Sequence, residues 1–89
     1  MGMNQPYAGQ QQVSTRKALL VFLKNVGPPI VLYVDNPDEA YVEIKKIMTN
    51  ANQHSPKLIE KVGKGPVKRL AVFDTQIAGA VIQEEPTAQ

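Results

Sequence analysis

DNPDEAYVEIKKIMTNAN, residues 35–52, is the stretch on which the fold turns. With Asn36 as the N-cap, Pro37 takes the first helical position, where a missing N–H is no loss, and Glu39 completes a capping-box pattern. Asp38 and Glu39 also lie at the positive end of the helix dipole. Beyond the cap, Ala40, Ile44, Ile47, Met48 and Ala51 recur at offsets of 4, 7, 8 and 11, a single stripe at helical period with Tyr41 on its flank. Glu43, Lys46 and Asn50 fall on the opposite side, where Val42 is a lone surface valine. The pattern predicts one helix from Pro37 to about Asn52, apolar on one face and ended by Asn50 to Pro56.

Working outward, Lys17 to Asn25 is rich in Leu and Val around Phe22 and reads as a strand closed by Gly27-Pro28-Pro29. Ile30 to Val34 is a second strand, expected to pair antiparallel with the first through a proline-containing loop. After the helix, Lys57 to Val62, the turn Gly63-Lys64-Gly65-Pro66 and Val67 to Phe73 form a second hairpin. Asp74-Thr75-Gln76 interrupts the pattern, and Ile77 to Gln83 is a fifth segment that continues the sheet around a bend. The expected class is α+β: a small antiparallel sheet in the order β-β-α-β-β, with room for a fifth strand, and one helix packed on one face.

The flanks differ in composition. Residues 1–15 hold four Gln and two Gly with no hydrophobic period, and only Tyr7 and Val13 are able to anchor them, so they read as a disordered arm. Residues 16–83 form the single folded domain, and 84–89 a flexible tail. A chain of 89 residues is one domain at most. The absence of Cys removes disulfides, thiolate nucleophiles, iron–sulfur clusters and cysteine-based zinc sites, and fits a cytoplasmic protein. The longest apolar runs, Ala18 to Leu23 and Ile30 to Val34, fall far short of the roughly 18 residues a membrane-spanning helix needs, so no membrane insertion is expected. The first sixteen residues lack a basic start and an apolar stretch, so no secretory signal is expected, and Pro6 stands where a myristoylation motif needs Ser or Thr.

One helix covers one face of a small sheet, and the first two strands are apolar on both. Leu20 and Phe22 alternate with Leu19, Val21 and Leu23, and Ile30, Leu32 and Val34 with Val31 and Tyr33. The uncovered face therefore needs a partner, a homo-oligomer and first a dimer, and Leu19, Val21, Leu23, Val31 and Tyr33 are taken as its interface.

Chemistry-bearing groups are sparse. His54 is the only histidine and sits in a polar loop, Asp74 reads as turn chemistry, and no acid pair, triad or metal set is visible. No enzyme activity, cofactor or metal is expected. The sharpest charge asymmetry is Lys57, Lys61, Lys64, Lys68 and Arg69 against Glu60 alone, a net +4 over residues 57–69. It offers RNA or anionic-ligand binding as the alternative function, although the overall charge is only +2 and no aromatics are interleaved for base stacking. The competing view makes these lysines guards of an exposed sheet edge.

From about Leu19 to Ile82 the chain resembles a family of short uncharacterised cyanobacterial proteins. The likeness lies in the two opening strands around a Pro-containing turn, the helix entry Asp38-Glu39-Ala40, Pro56-Lys57-Leu58-Ile59-Glu60, and Leu70-Ala71-Val72 leading to Ile77-Ala78-Gly79-Ala80-Val81. The Gln-rich arm and Gly63-Lys64-Gly65-Pro66 depart from it. The resemblance carries no catalytic or binding residue with it. It implies a cyanobacterial cytosol and an accessory role near photosynthetic or carbon-fixation machinery. The sequence reading is thus a small non-enzymatic interaction module that self-associates and binds a larger protein partner.

Overall fold

Alternation along the strands meets the helical stripe in one core, as a computed structural model describing residues 14–87 shows. The expectations for residues 1–13 and 88–89 lie outside the described residues. Five strands and one helix follow in order: β1 (Thr15–Leu23), β2 (Ile30–Leu32), α1 (Pro37–Asn50), β3 (Leu58–Val62), β4 (Arg69–Phe73) and β5 (Ile77–Pro86). The fold is α+β, with one helix and small antiparallel sheets.

The strands divide into two sheets: a three-stranded one in the order β2-β1-β5 and a two-stranded ribbon, β3-β4. The expected β1–β2 hairpin is present, with Leu19 opposite Leu32, Leu20 opposite Val31 and Val21 opposite Ile30. Its loop is entered through Asn25 at φ 61°, a left-handed conformation that Asn tolerates better than most side chains. The β3–β4 hairpin also forms, with Leu58 opposite Phe73 and Val62 opposite Arg69. β5 departs from the expected bend. Instead of extending the second hairpin, it passes through a short 3-10 turn at Asp74–Gln76 and runs antiparallel to β1 over almost its whole length. The residues read as a tail, Glu84 to Pro86, thus belong to β5 and pair with Lys17, Arg16 and Thr15.

A bulge explains how β5 starts in register with the core. Phe22 faces Gly79 and Leu23 faces Ile77, so Ala78 is the additional residue. That extra residue returns Ile77 to the inward side, where it is buried beside Leu23.

The helix follows its stripe. Ile44 is enclosed, and Ala40, Tyr41, Ile47 and Met48 pack against a core formed with Leu19, Val21, Leu32 and Ile77, while Val42 is exposed. Its entry differs from the expected capping box. Asn36 is the N-cap and Pro37 opens the helix, but the Asn36 side chain makes no capping bond. The first helical bond runs from the Ala40 N–H to the Asn36 carbonyl at 3.0 Å. Asp38 instead accepts from the Lys17 ammonium at 2.8 Å and ties the first turn of the helix to β1. Helical geometry tightens into a 3-10 turn over Ala51–Gln53, and His54 is extended.

The ribbon closes the far side of the core through Leu70 and Val72, with Val67 from its loop. Its turn is held against the end of β2 by the Lys64 N–H, which donates to the Tyr33 carbonyl at 2.7 Å. Gly63 is required there: a Cβ would strike the Val67 carbonyl oxygen and press on Leu32.

Candidate functional site

Residues directly opposite each other in an antiparallel pair share a face. The row Leu32–Leu19–Ile82 and the row Ile30–Val21–Ala80 therefore lie on one side, and it is the helix side. Leu19 and Val21 are completely enclosed there, and Leu23 packs against the same core. The expectation that Leu19, Val21 and Leu23 form the uncovered face with Val31 and Tyr33 is corrected. The pairing forbids that grouping, because Val31 lies opposite Leu20 and not opposite an inward residue.

The face without the helix is built from the row Val31–Leu20–Val81, with Phe22 beside Gly79 and Ala18 beside Gln83. Val81 is 42% exposed. An apolar recess of about 530 Å³ lies alongside, between Pro28, Pro29, Val31 and Tyr33 on one side and Pro66 and Val67 on the other.

Tyr33 ends this face with a polar clasp. Its hydroxyl donates to Glu85 at 2.8 Å, the Arg16 guanidinium lies 3.9 Å over its ring, and Arg16 approaches Glu85 at 3.7 Å. The bond to Glu85 holds the phenol proton and raises the Tyr33 pKa, desolvation adds to this, and Arg16 partly opposes it. Nearby, the hydrogen bond from Lys64 to Asp35, at 2.6 Å, lowers the Asp35 pKa, and the bond to Asp38 raises that of Lys17.

The five cations of residues 57–69 do not converge on one place. Lys61 points from the inner side of the ribbon to Glu43 of α1 and forms an ion pair with it. Lys64 is paired with Asp35, and the Lys68 ammonium reaches the Lys64 carbonyl at 3.5 Å. Arg69 stands on the other side of the ribbon, opposite Val62. Lys57 joins the strand end through its backbone: its N–H donates to Asp74 Oδ1 at 3.1 Å, and its carbonyl accepts from the Asp74 N–H at 2.9 Å.

Asp74 and His54, read separately in the sequence, are brought together. Asp74 is 2% exposed, the buried charged residue among those described, and its Oδ2 lies 3.7 Å from His54 Nε2. His54 Nδ1 is 2.6 Å from the Ser55 carbonyl oxygen; a carbonyl only accepts, so Nδ1 carries the proton. The arrangement braces the loop after α1 against the turn before β5, and turn chemistry at Asp74 is extended by a contact no local pattern announces. Among the described residues no cluster of His, Asp and Glu is arranged to hold a metal ion.

Three outward residues, Leu20, Phe22 and Val81, were missed as surface candidates. In β1 the outward and inward sets are equally apolar, so only the partner strands distinguish them. Comparison with protein families, curated proteins and solved structures finds no match for this chain. Among the described residues no helix is long and apolar enough to cross a membrane.

Proposed function

We propose that the chain is a small non-enzymatic interaction module of the cytosol that self-associates and presents the helix-free face of its three-stranded sheet to a larger protein. The observation that carries this is the apolar row Val31–Leu20–Val81, flanked by Phe22, on the side away from the helix. An antiparallel sheet that keeps one face wet alternates apolar and polar residues, and β1 does not. The recess beside Val31 and Tyr33 adds a concave border into which an apolar side chain of a partner fits. The resemblance to short cyanobacterial proteins directs the search for that partner to photosynthetic and carbon-fixation assemblies. Anion binding through residues 57–69 has less support, since Lys61 and Lys64 are engaged with Glu43 and Asp35.

The test is crosslinking followed by mass spectrometry on the native full chain in lysate, compared with Phe22→Asp and Val81→Asp. Both variants are expected to keep the far-ultraviolet spectrum and melting transition and to lose crosslinks from the sheet face. Crosslinks that persist unchanged in folded variants would remove this face from the function.

A further inference from the structure

The ribbon has a second surface that the reading above does not use. Ile59, Lys61, Leu70 and Val72 are directed inward, so the opposite side of the same two strands carries Leu58, Glu60 and Val62 from β3 and Arg69, Ala71 and Phe73 from β4. Its apolar members are open to solvent: Leu58 is 54% exposed, Phe73 51% and Val62 72%. Among the described residues each strand of the ribbon pairs only with the other, and a two-stranded unit of this kind is marginal without further packing.

The charges on this side indicate what packs there. Glu60 lies opposite Ala71 and Arg69 opposite Val62, so the acid and the base are diagonal neighbours on the same side. Neither has an ion-pair partner among the described residues, although Lys17, Lys61 and Lys64 each have one. In a two-fold contact, when residue i of one copy meets residue j of the other, j meets i as well. With strands about 4.8 Å apart and alternate residues about 6.8 Å apart, an in-plane axis midway between Glu60 and Arg69 sets each on its opposite in the second copy. The same axis passes close to Val62 and Ala71, which then meet their own counterparts.

We propose that the outer face of the β3–β4 ribbon is a homodimer contact, in which Glu60 of each copy pairs with Arg69 of the other around a centre formed by Val62 and Ala71. This rests on the self-association part of the function above and assigns it to a surface distinct from the partner-binding sheet. The apolar centre supplies affinity, and the crossed charges fix register and exclude other apolar surfaces.

Native mass spectrometry and sedimentation equilibrium of the full chain test it with Glu60→Arg, Arg69→Glu and the double exchange. Both positions are exposed, so all three variants are expected to fold as the parent does, checked by circular dichroism. The parent is expected to dimerise, each single variant to dissociate at least about tenfold more readily, and the double exchange to recover. An equimolar mixture of the two single variants is expected to form a heterodimer, because two acids on one chain then meet two bases on the other. A parent that stays monomeric at every concentration overturns both this contact and self-association, leaving the sheet face to its own test. A dimer that ignores both single exchanges, or single variants that do not combine, overturns the ribbon contact while self-association stands.

Discussion

The three-stranded sheet and the two-stranded ribbon are made from strands that are apolar on both sides, yet they leave different surfaces in solvent. Around the sheet, the charges at the end of β1 are engaged within the chain: Arg16 and Tyr33 close on Glu85, and Lys17 closes on Asp38. The centre of its free face, Val31, Leu20, Val81 and Phe22, is left apolar, with Gln83 and the Tyr33–Glu85–Arg16 clasp at one end. Among the described residues, the ribbon keeps Glu60 and Arg69 without ion-pair partners, set among apolar neighbours. Burial determines how strongly a surface attracts, whereas an uncompensated charge pattern determines what it accepts.

The largest expected effect sharpens the division of β1 into two sides. Leu19→Ala is expected to cost about 2–5 kcal/mol, since the side chain is enclosed by β2, β5 and α1. Leu20→Ala, one residue on, is expected to cost about 1 kcal/mol because its side chain is only partly buried, on the side away from the helix. Urea unfolding of the two variants measures the difference, and equal losses would break the assignment of faces.

The join between ribbon and sheet is probed next. Asp74→Ala removes the acceptor of the Lys57 amide inside a buried turn and is expected to destabilise by about 1–3 kcal/mol in the same assay. Gly63→Ala forces a Cβ against the Val67 backbone and is expected to cost about 1–3 kcal/mol. Gly27→Ala meets open space and is expected to stay within about 0.5 kcal/mol of the parent. A neutral Gly63→Ala would show that Gly63 and the Val67 carbonyl are not held in close approach.

The smallest effect concerns the clasp on the sheet. Because Tyr33 holds its proton more tightly in the folded chain, the folded state binds more protons than the unfolded one once pH passes the ordinary tyrosine value. Its contribution is therefore complete below about pH 10 and is lost as pH rises through the raised value. Thermal melts between neutral and strongly alkaline pH should show a steeper decline in the parent than in Tyr33→Phe. Parallel declines would show that the Glu85 bond does not contribute.

Legibility in the sequence followed the uniqueness of local signals. Pro37 with Ala40, Ile44, Ile47 and Met48 admits one helical reading, and the helix lies there with that face inward. Both hairpins were equally readable from the loops at Gly27-Pro28-Pro29 and Gly63-Lys64-Gly65-Pro66. The capping box was not, since the Asn36 side chain makes no capping bond, and the tie from Lys17, twenty-one residues upstream, to Asp38 had no local signal. The sides of β1 were misassigned: with Leu, Val and Phe in both alternating sets, a strand carries no internal mark of which set faces the core.

The sequence by itself determined the α+β class, the helix with its buried stripe, the two hairpins and the concentration of positive charge in residues 57–69, since each depends on neighbours within a few turns of chain. Only the tertiary structure decided that β5 leaves the ribbon to pair with β1, that Leu20, Phe22 and Val81 face outward, and that His54 meets Asp74. These depend on pairings between segments far apart in the chain, where the free energy comes from jointly burying surfaces that no local pattern marks as partners.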